Sequence, residues 1–242
     1  MPNGTMQMQN RAMGYDRTAT MFSPEGHLLQ VEYAEKTVRL GSASIGFSCK
    51  DGVVIIADRR KKEELIKDES ANKVFEIDKH IMASAAGILS DARVLVEKAQ
   101  VEAQQHRVTY ESGIGVESVV KEIANAKQLS TQYGALRPYG VALMFAGITN
   151  SDPELYVADV TGNYFEYKAT AIGENDEEIK KMLKKEYKDS METEEAIKTG
   201  LKIFKKVLGK KFKIERFDVG VIKSDEKELK KVSEKELKDY IK

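Results

Sequence analysis

A chain of 242 residues with 41% hydrophobic side chains is long enough for one large core, and its 39 basic and 39 acidic residues cancel to zero net charge. That balance argues against a nucleic-acid partner, whose phosphates select for a basic face. The single cysteine, Cys49, excludes an intrachain disulfide framework and a multi-cysteine zinc site, and fits a reducing, cytoplasmic setting.

Residues before Tyr15 contain Asn, Gln, Gly and scattered Met but no apolar run of the kind a signal peptide needs. No later stretch approaches the roughly 18 apolar residues of a membrane span, so no membrane partner is expected. Residues 1–14 read as a flexible polar tail and residues 15–242 as a single domain, because no linker or repeat interrupts the hydrophobic segments. Ser23 is a candidate helix cap, Pro24 suits a first helical position and Glu25 favours the positive helix end, while Gly26 leaves open a turn ahead of the helix. Leu28, Val31, Ala34 and Val38 recur at helical spacing, and Gly41 supplies a stop.

Ala43 to Lys50 and Val53 to Ala57 read as a hairpin about Asp51-Gly52, and Lys73 to Ile77 and His80 to Ala85 as a second about Asp78-Lys79. Ser90-Asp91 opens a helix through Val94, Leu95, Ala99 and Ala103; Val116, Val119, Val120 and Ile123 describe another, whose apolar stripe fades at Lys127. Strands follow at Val141 to Ile148, Leu155 to Ala158 and Tyr164 to Thr170, with turns at Asp152-Pro153 and Thr161-Gly162-Asn163. The Lys- and Glu-rich region from Glu174 reads as a solvated face. Ala196, Ile197, Gly200, Leu201, Phe204, Val207 and Leu208 share one helical face after Thr193, and Phe217 to Ile222 is a further strand. Ser233 and Glu236 have capping-box spacing ahead of a last helix carrying Leu237, Tyr240 and Ile241. This order gives an α+β fold.

Between Tyr15 and Ser42, the strings YDR, FSPEG, QVEYA and Gly41-Ser42 resemble the amino-terminal signature of proteasome alpha subunits, particularly the archaeal type. The similarity continues through DGVVIIADRR, Lys73 to Asp78, SDARVLV, TQYGALRPYG, FAGI and EYKATAIG, and so covers most of residues 15–222. The resemblance implies a four-layer αββα sandwich of the amino-terminal nucleophile hydrolase type with an extra leading helix. It implies a noncatalytic alpha subunit of the proteasome core particle. Such subunits form a seven-membered outer ring with identical copies, gate the passage of unfolded proteins to proteolytic beta subunits, and dock the C-terminal tails of ATPase unfoldases or other activators. No cofactor is implied.

Position by position, the resemblance puts Tyr15, Asp16, Pro24 and Tyr33 in the gate cluster, and Tyr133, Gly134, Ala135 and Leu136 in the loop that lines the ring aperture. Lys73 matches the lysine that receives an activator's terminal carboxylate; Gly41 and Gly87 match the small residues bordering that pocket, with Glu32 beside it. Glu35 stands where a basic residue is common, Ala135 where Gly is common, and Gly173-Glu174-Asn175 where Gly-Ser-Gly is usual.

Proteolytic beta subunits use an amino-terminal Thr hydroxyl whose proton a nearby amine handles. Aligned with them, Ser42 falls near that Thr, with Lys73, Asp58 and Asp218 on their lysine and two aspartates. The alternative is therefore an active amino-terminal hydrolase matured by cleavage before Ser42. Against it, the helix ahead of Ser42 is the segment that most identifies the family, and no threonine occupies the site. His27, His80 and His106 have no metal-binding or triad context, no nucleotide-binding GxxxxGK[ST] is present, and Cys49 reads as a structural thiol. Asp58 beside Arg59 and Arg60 reads as a structural strand-end acid.

Overall fold

The computed structural model describes residues 8, 10, 12–60 and 65–241, so most of the tail expected at residues 1–14 lies outside the described residues. The helices are α1 (Leu29–Leu40), α2 (Leu89–Tyr110), α3 (Val116–Ser130), α4 (Asp176–Glu186), α5 (Thr193–Leu208) and α6 (Glu234–Asp239). The strands are β1 (Ser44–Cys49), β2 (Gly52–Asp58), β3 (Val74–Asp78), β4 (Ile81–Gly87), β5 (Val141–Thr149), β6 (Asp152–Ala158), β7 (Tyr164–Glu166), β8 (Ala169–Ile172), β9 (Phe217–Lys223) and β10 (Leu229–Lys231).

Two antiparallel sheets result, ordered β10-β9-β2-β1-β8 and β3-β4-β5-β6-β7. Period-2 alternation divides their side chains among three cores. On β2, Val54 and Ile56 face the layer of α4 and α5, while Val53, Ile55 and Ala57 face the other sheet. On β5, Leu143 and Phe145 face α2 and α3, while Ala142, Met144 and Ala146 face inward. Both strands are covered on both faces, which is why they read as continuous apolar runs. Phe145 is fully buried, and truncating it to Ala removes about 3–5 kcal/mol. The arrangement is the αββα sandwich with a leading helix, α1, laid against β4 and β5.

Several boundaries differ from the sequence reading. Ser23 caps no helix: Gly26 N–H donates to Ser23 O and Ser23 N–H to His27 O, both at 2.9 Å, closing a turn that contains Pro24, and α1 begins at Leu29. Gly26, at φ +82°, supplies the left-handed backbone of that turn. The first hairpin turns at Lys50-Asp51, one residue early, because Cys49 pairs with Gly52. Asp51 accepts from Thr193 N–H and Oγ1 at 2.8 and 2.9 Å, satisfying the start of α5. The second hairpin likewise shifts, with β3 reaching Asp78 and the turn at Lys79-His80.

Asp152 and Pro153 belong to β6; the turn is at Asn150-Ser151, both at positive φ. The segment read as one strand, Tyr164 to Thr170, is two: β7 pairs with β6 and β8 crosses to β1 in the other sheet. The charged region after Glu174 contains α4, which buries Ile179 and Leu183 and carries acids in its first turn and lysines in its last, as the helix dipole favours. The capping box at Ser233 and Glu236 is formed, but the helix it opens stops before Tyr240 and Ile241.

Candidate functional site

The C-terminal end of α1 runs into the end of β4, and the contact is between two glycines. A Cβ on Gly41 would sit 2.2 Å from Gly87 N, and one on Gly87 would sit 2.2 Å from Gly140 O, so neither site tolerates a side chain. Gly87 is also at φ +122°. Beside this contact lies an open cavity of about 390 Å³ lined by Gly41, Ser42, Arg59, Arg60, Lys73 and Gly87 among others. The fold thus brings Lys73, Gly41 and Gly87 together. Glu32 is not among the lining residues; it pairs instead with His27, Oε1 to Nδ1 at 2.6 Å.

Lys73 is 4% exposed, and its Nζ donates to Ser42 Oγ at 2.8 Å, Ser42 O at 2.5 Å, Asp58 O at 3.3 Å and Ala43 O at 3.4 Å. Burial pulls its proton affinity down to about 7; the Arg60 charge adds to this and Asp58 opposes it. Its backbone is fixed as well, since Asp218 Oδ2 accepts from the N–H groups of Lys73 and Val74, both at 2.8 Å. The Asp58 carboxylate turns away from the lysine. It accepts from Arg216 Nε at 3.1 Å and Nη2 at 2.5 Å, and from the Arg60 N–H at 3.1 Å. The group therefore offers a buried amine hydrogen-bonded to a hydroxyl, next to a cation-lined opening. Cys49 is no rival nucleophile, because burial pushes its thiol up to about 12.

The residues expected to line an aperture, Tyr133 to Leu136, follow α3, with Leu136 N–H donating to Tyr133 O at 3.0 Å; Tyr133 and Leu136 are about half exposed. Nothing lies within 4 Å of a Cβ placed on Gly134. The loop's return is anchored by Asp91, which makes a two-pronged pair with Arg137 at 2.6 Å and accepts from Gly140 N–H at 2.9 Å. Burial raises the Asp91 carboxyl, but Arg137 and Gly140 outweigh it and hold it below the usual carboxylate range. Asp91 is thus a loop anchor and not the cap of α2, which begins at Leu89 with no side-chain cap.

Of the four residues expected to form a gate cluster, Asp16 is tied to α1 through its carbonyl, which accepts from Gln30 Nε2, and Tyr33 follows three residues later on the same helix. Tyr15 N–H donates to Asn10 O at 3.1 Å. Asn10 is buried and donates to Glu25 at 3.0 Å, beside Pro24 in the turn. Arg216, Asp91 with Arg137, and the buried Lys127 are the structural residues that sequence reading does not single out in these roles. Among the described residues no cluster of His, Cys, Asp and Glu could hold a metal, and no helix is long and apolar enough to cross a membrane.

Residues 38–222 match the family model for proteasome subunits, and residues 15–36 match the model for the N-terminal signature of A-type proteasome subunits. The chain is 42% identical over 229 residues to a proteasome alpha subunit of Archaeoglobus fulgidus, covering 95% of this chain and 93% of that one. It is 42% identical over 236 residues to one of Methanosarcina mazei, covering 98% and 94%, and 44% identical over 224 residues to one of Thermococcus sibiricus, covering 93% and 85%.

Proposed function

Because the chain belongs to the proteasome alpha-subunit family, we propose that it forms, with identical copies, the seven-membered outer ring that controls access of unfolded proteins to proteolytic beta subunits and performs no hydrolysis itself. The observation that carries the noncatalytic reading is the position of Ser42. Its hydroxyl is near an amine, but α1 and Gly41 precede it in unbroken chain, and Gly41 packs on Gly87 too closely for any other residue. Releasing Ser42 as a terminus would remove the helix laid against β4 and β5.

In this reading residues 1–14 act as the gate tail, Tyr15, Asp16, Pro24 and Tyr33 hold its exit, and Tyr133 to Leu136 line the aperture. Activator tails place their terminal carboxylate in the cavity bordered by Gly41, Gly87 and Lys73, with Glu32 outside its lining. The particle works in the cytoplasm without a cofactor. Val94, Val101 and Val108 repeat every seven residues along α2 and remain 45%, 51% and 84% exposed. Such an apolar row supports burial against a neighbouring protomer of the ring.

The test is coexpression with the cognate beta subunit, electron microscopy of the product, and intact mass of this chain. Stacked rings with an unprocessed chain are expected. The reading of an amino-terminal peptidase is favoured by the Lys73 to Ser42 hydrogen bond and by the match of Lys73, Asp58 and Asp218 to the beta-subunit residues; a chain shortened to begin at Ser42, with activity abolished by Ser42→Ala, would replace the noncatalytic reading with it.

A further inference from the structure

The cavity beside Lys73 shares one wall with a second cavity of about 360 Å³, lined by Glu174, Asn175, Val207, Lys211 and Arg216 among others; that wall is Arg60. The Arg60 guanidinium is ion-paired to the Glu174 carboxylate, with side chains 41% and 44% exposed. Glu174 is held in place by its main chain, whose N–H donates to Gly41 O at 2.8 Å on the wall of the first cavity. Arg60 sits at φ +31°, an uncommon conformation for a residue with a side chain, two residues past the end of β2 at Asp58. Its charge reaches Lys73, since it contributes to the lowered proton affinity there. A guanidinium and a lysine amine whose proton affinity is pulled down to about 7 therefore line one opening, and an anion seated between them favours the protonated lysine.

We propose that Arg60 is a second carboxylate-binding group of the cavity beside Lys73, and that Glu174 is its built-in competitor. A peptide's terminal carboxylate gains Arg60 by displacing the internal one. The proposal rests on the reading of this cavity as the docking site for activator tails. It assigns a function to the acid at position 174, which pairs with Arg60 as a free carboxylate would. The exchange is easy because both partners are near the surface, where an ion pair contributes little and is screened by salt. Glutamate at 174 therefore weakens docking of a charged end without blocking it, and it lowers the preference of the site for a carboxylate over an uncharged end.

The full-length chain, assembled with its cognate beta subunit, is titrated with a fluorescein-labelled heptapeptide ending in a free carboxylate and with the same peptide as its C-terminal amide. The ratio of the two affinities isolates the charge. Glu174→Gln keeps the main-chain bond to Gly41 and removes only the competing charge; it is expected to raise the acid-over-amide ratio about 1.5- to fivefold. Arg60→Gln is expected to lower the ratio below wild type, and the double variant to match Arg60→Gln alone. A wild-type carboxylate preference that Glu174→Gln leaves unchanged overturns the competition while leaving the docking reading intact. Equal binding of acid and amide by all four proteins overturns the docking reading, and the proposal with it.

Discussion

Replacing Lys127 by methionine tests whether a wholly buried lysine is charged in this fold. Near the end of α3 its Nζ donates to the carbonyls of Val141 at 3.0 Å, Ala158 at 2.9 Å and Asp159 at 3.0 Å, tying the helix to β5 and the end of β6. Burial, opposed by the nearby Asp159 charge, pulls its proton affinity down to about 7. Between that value and the roughly 10.4 of an unfolded lysine, the unfolded chain holds a proton that the folded chain has released. The resulting penalty is full below the folded value, shrinks as pH rises, and vanishes above the unfolded value. At about 1.4 kcal/mol per unit, and with the folded group half protonated at pH 7, raising the pH to 9 removes about 2 kcal/mol of it. Lys127→Met keeps similar volume, abolishes the titration, and leaves three carbonyls without this donor, at about 1–3 kcal/mol for each that finds no other. Urea unfolding of both proteins at pH 7, 8 and 9, at one protein concentration, gives the difference directly, with all other titrations cancelling. The variant is expected to be less stable, with the gap widening by about 2 kcal/mol from pH 7 to 9. A constant gap refutes the reasoning and shows that the three carbonyls keep the ammonium charged throughout.

Gly41→Ala forces a methyl against Gly87 N and is expected to cost about 1–3 kcal/mol and to lower the unfolding temperature, read by calorimetry. Asp91→Asn removes a charged two-pronged bond to Arg137, so Gly140 N–H is expected to exchange with solvent about tenfold or more faster. Because the Asp91 carboxyl is held below its usual range, this tie is at full strength above about pH 4 and is lost only as pH falls through its lower folded value, measurable as exchange against pH. Deleting residues 1–12 in the assembled particle is expected to raise turnover of a small fluorogenic peptide; unchanged turnover would argue against gating by the tail. The purified chain alone is expected to hydrolyse no peptide, with Ser42→Ala as the control.

Legibility in the sequence follows the range of the interactions. Strands covered on both faces, β2 and β5, announce themselves as apolar runs because every position but Thr149 is buried. The face of α5 is equally plain, since Ala196, Ile197, Gly200, Leu201 and Phe204 all pack inward. Local signals mislead where a side chain bonds across the fold. Ser90-Asp91 has the look of a helix cap, but Asp91 serves Arg137 and Gly140. Tyr164 to Thr170 reads as one strand because nothing in its β-rich composition marks the point where the chain changes sheets; the bonds from Tyr167 N–H to Leu155 O and from Ser48 N–H to Lys168 O define it. Lys127 ends an apolar stripe in sequence yet extends it in space, its stem buried and its amine satisfied by main chain. In the candidate site, Lys73, Gly41 and Gly87 are reached through the resemblance. Their meeting depends on a contact between α1 and the end of β4, for which a single sequence carries no local signal.

The same geometry decides how docking at this cavity can be probed. Lys73 is a structural tie before it is a ligand group, because its amine joins the start of β1, through Ser42 and Ala43, to the end of β2 at Asp58. Truncating it to alanine strips a donor from three carbonyls and a hydroxyl, and leaves a vacancy where the side chain was nine-tenths and more enclosed. Loss of activator binding in that variant would then follow equally from a missing charge and from a distorted cavity wall. Arg60 carries no such burden on its side chain: the guanidinium is near the surface and pairs with Glu174, while its N–H to Asp58 belongs to the backbone and survives substitution. Changes at Arg60 and Glu174 alter the charge facing the cavity and leave the carbonyls around Lys73 paired. A charge effect on carboxylate binding at those two positions is therefore an electrostatic measurement of the site, which a change at Lys73 cannot provide by itself.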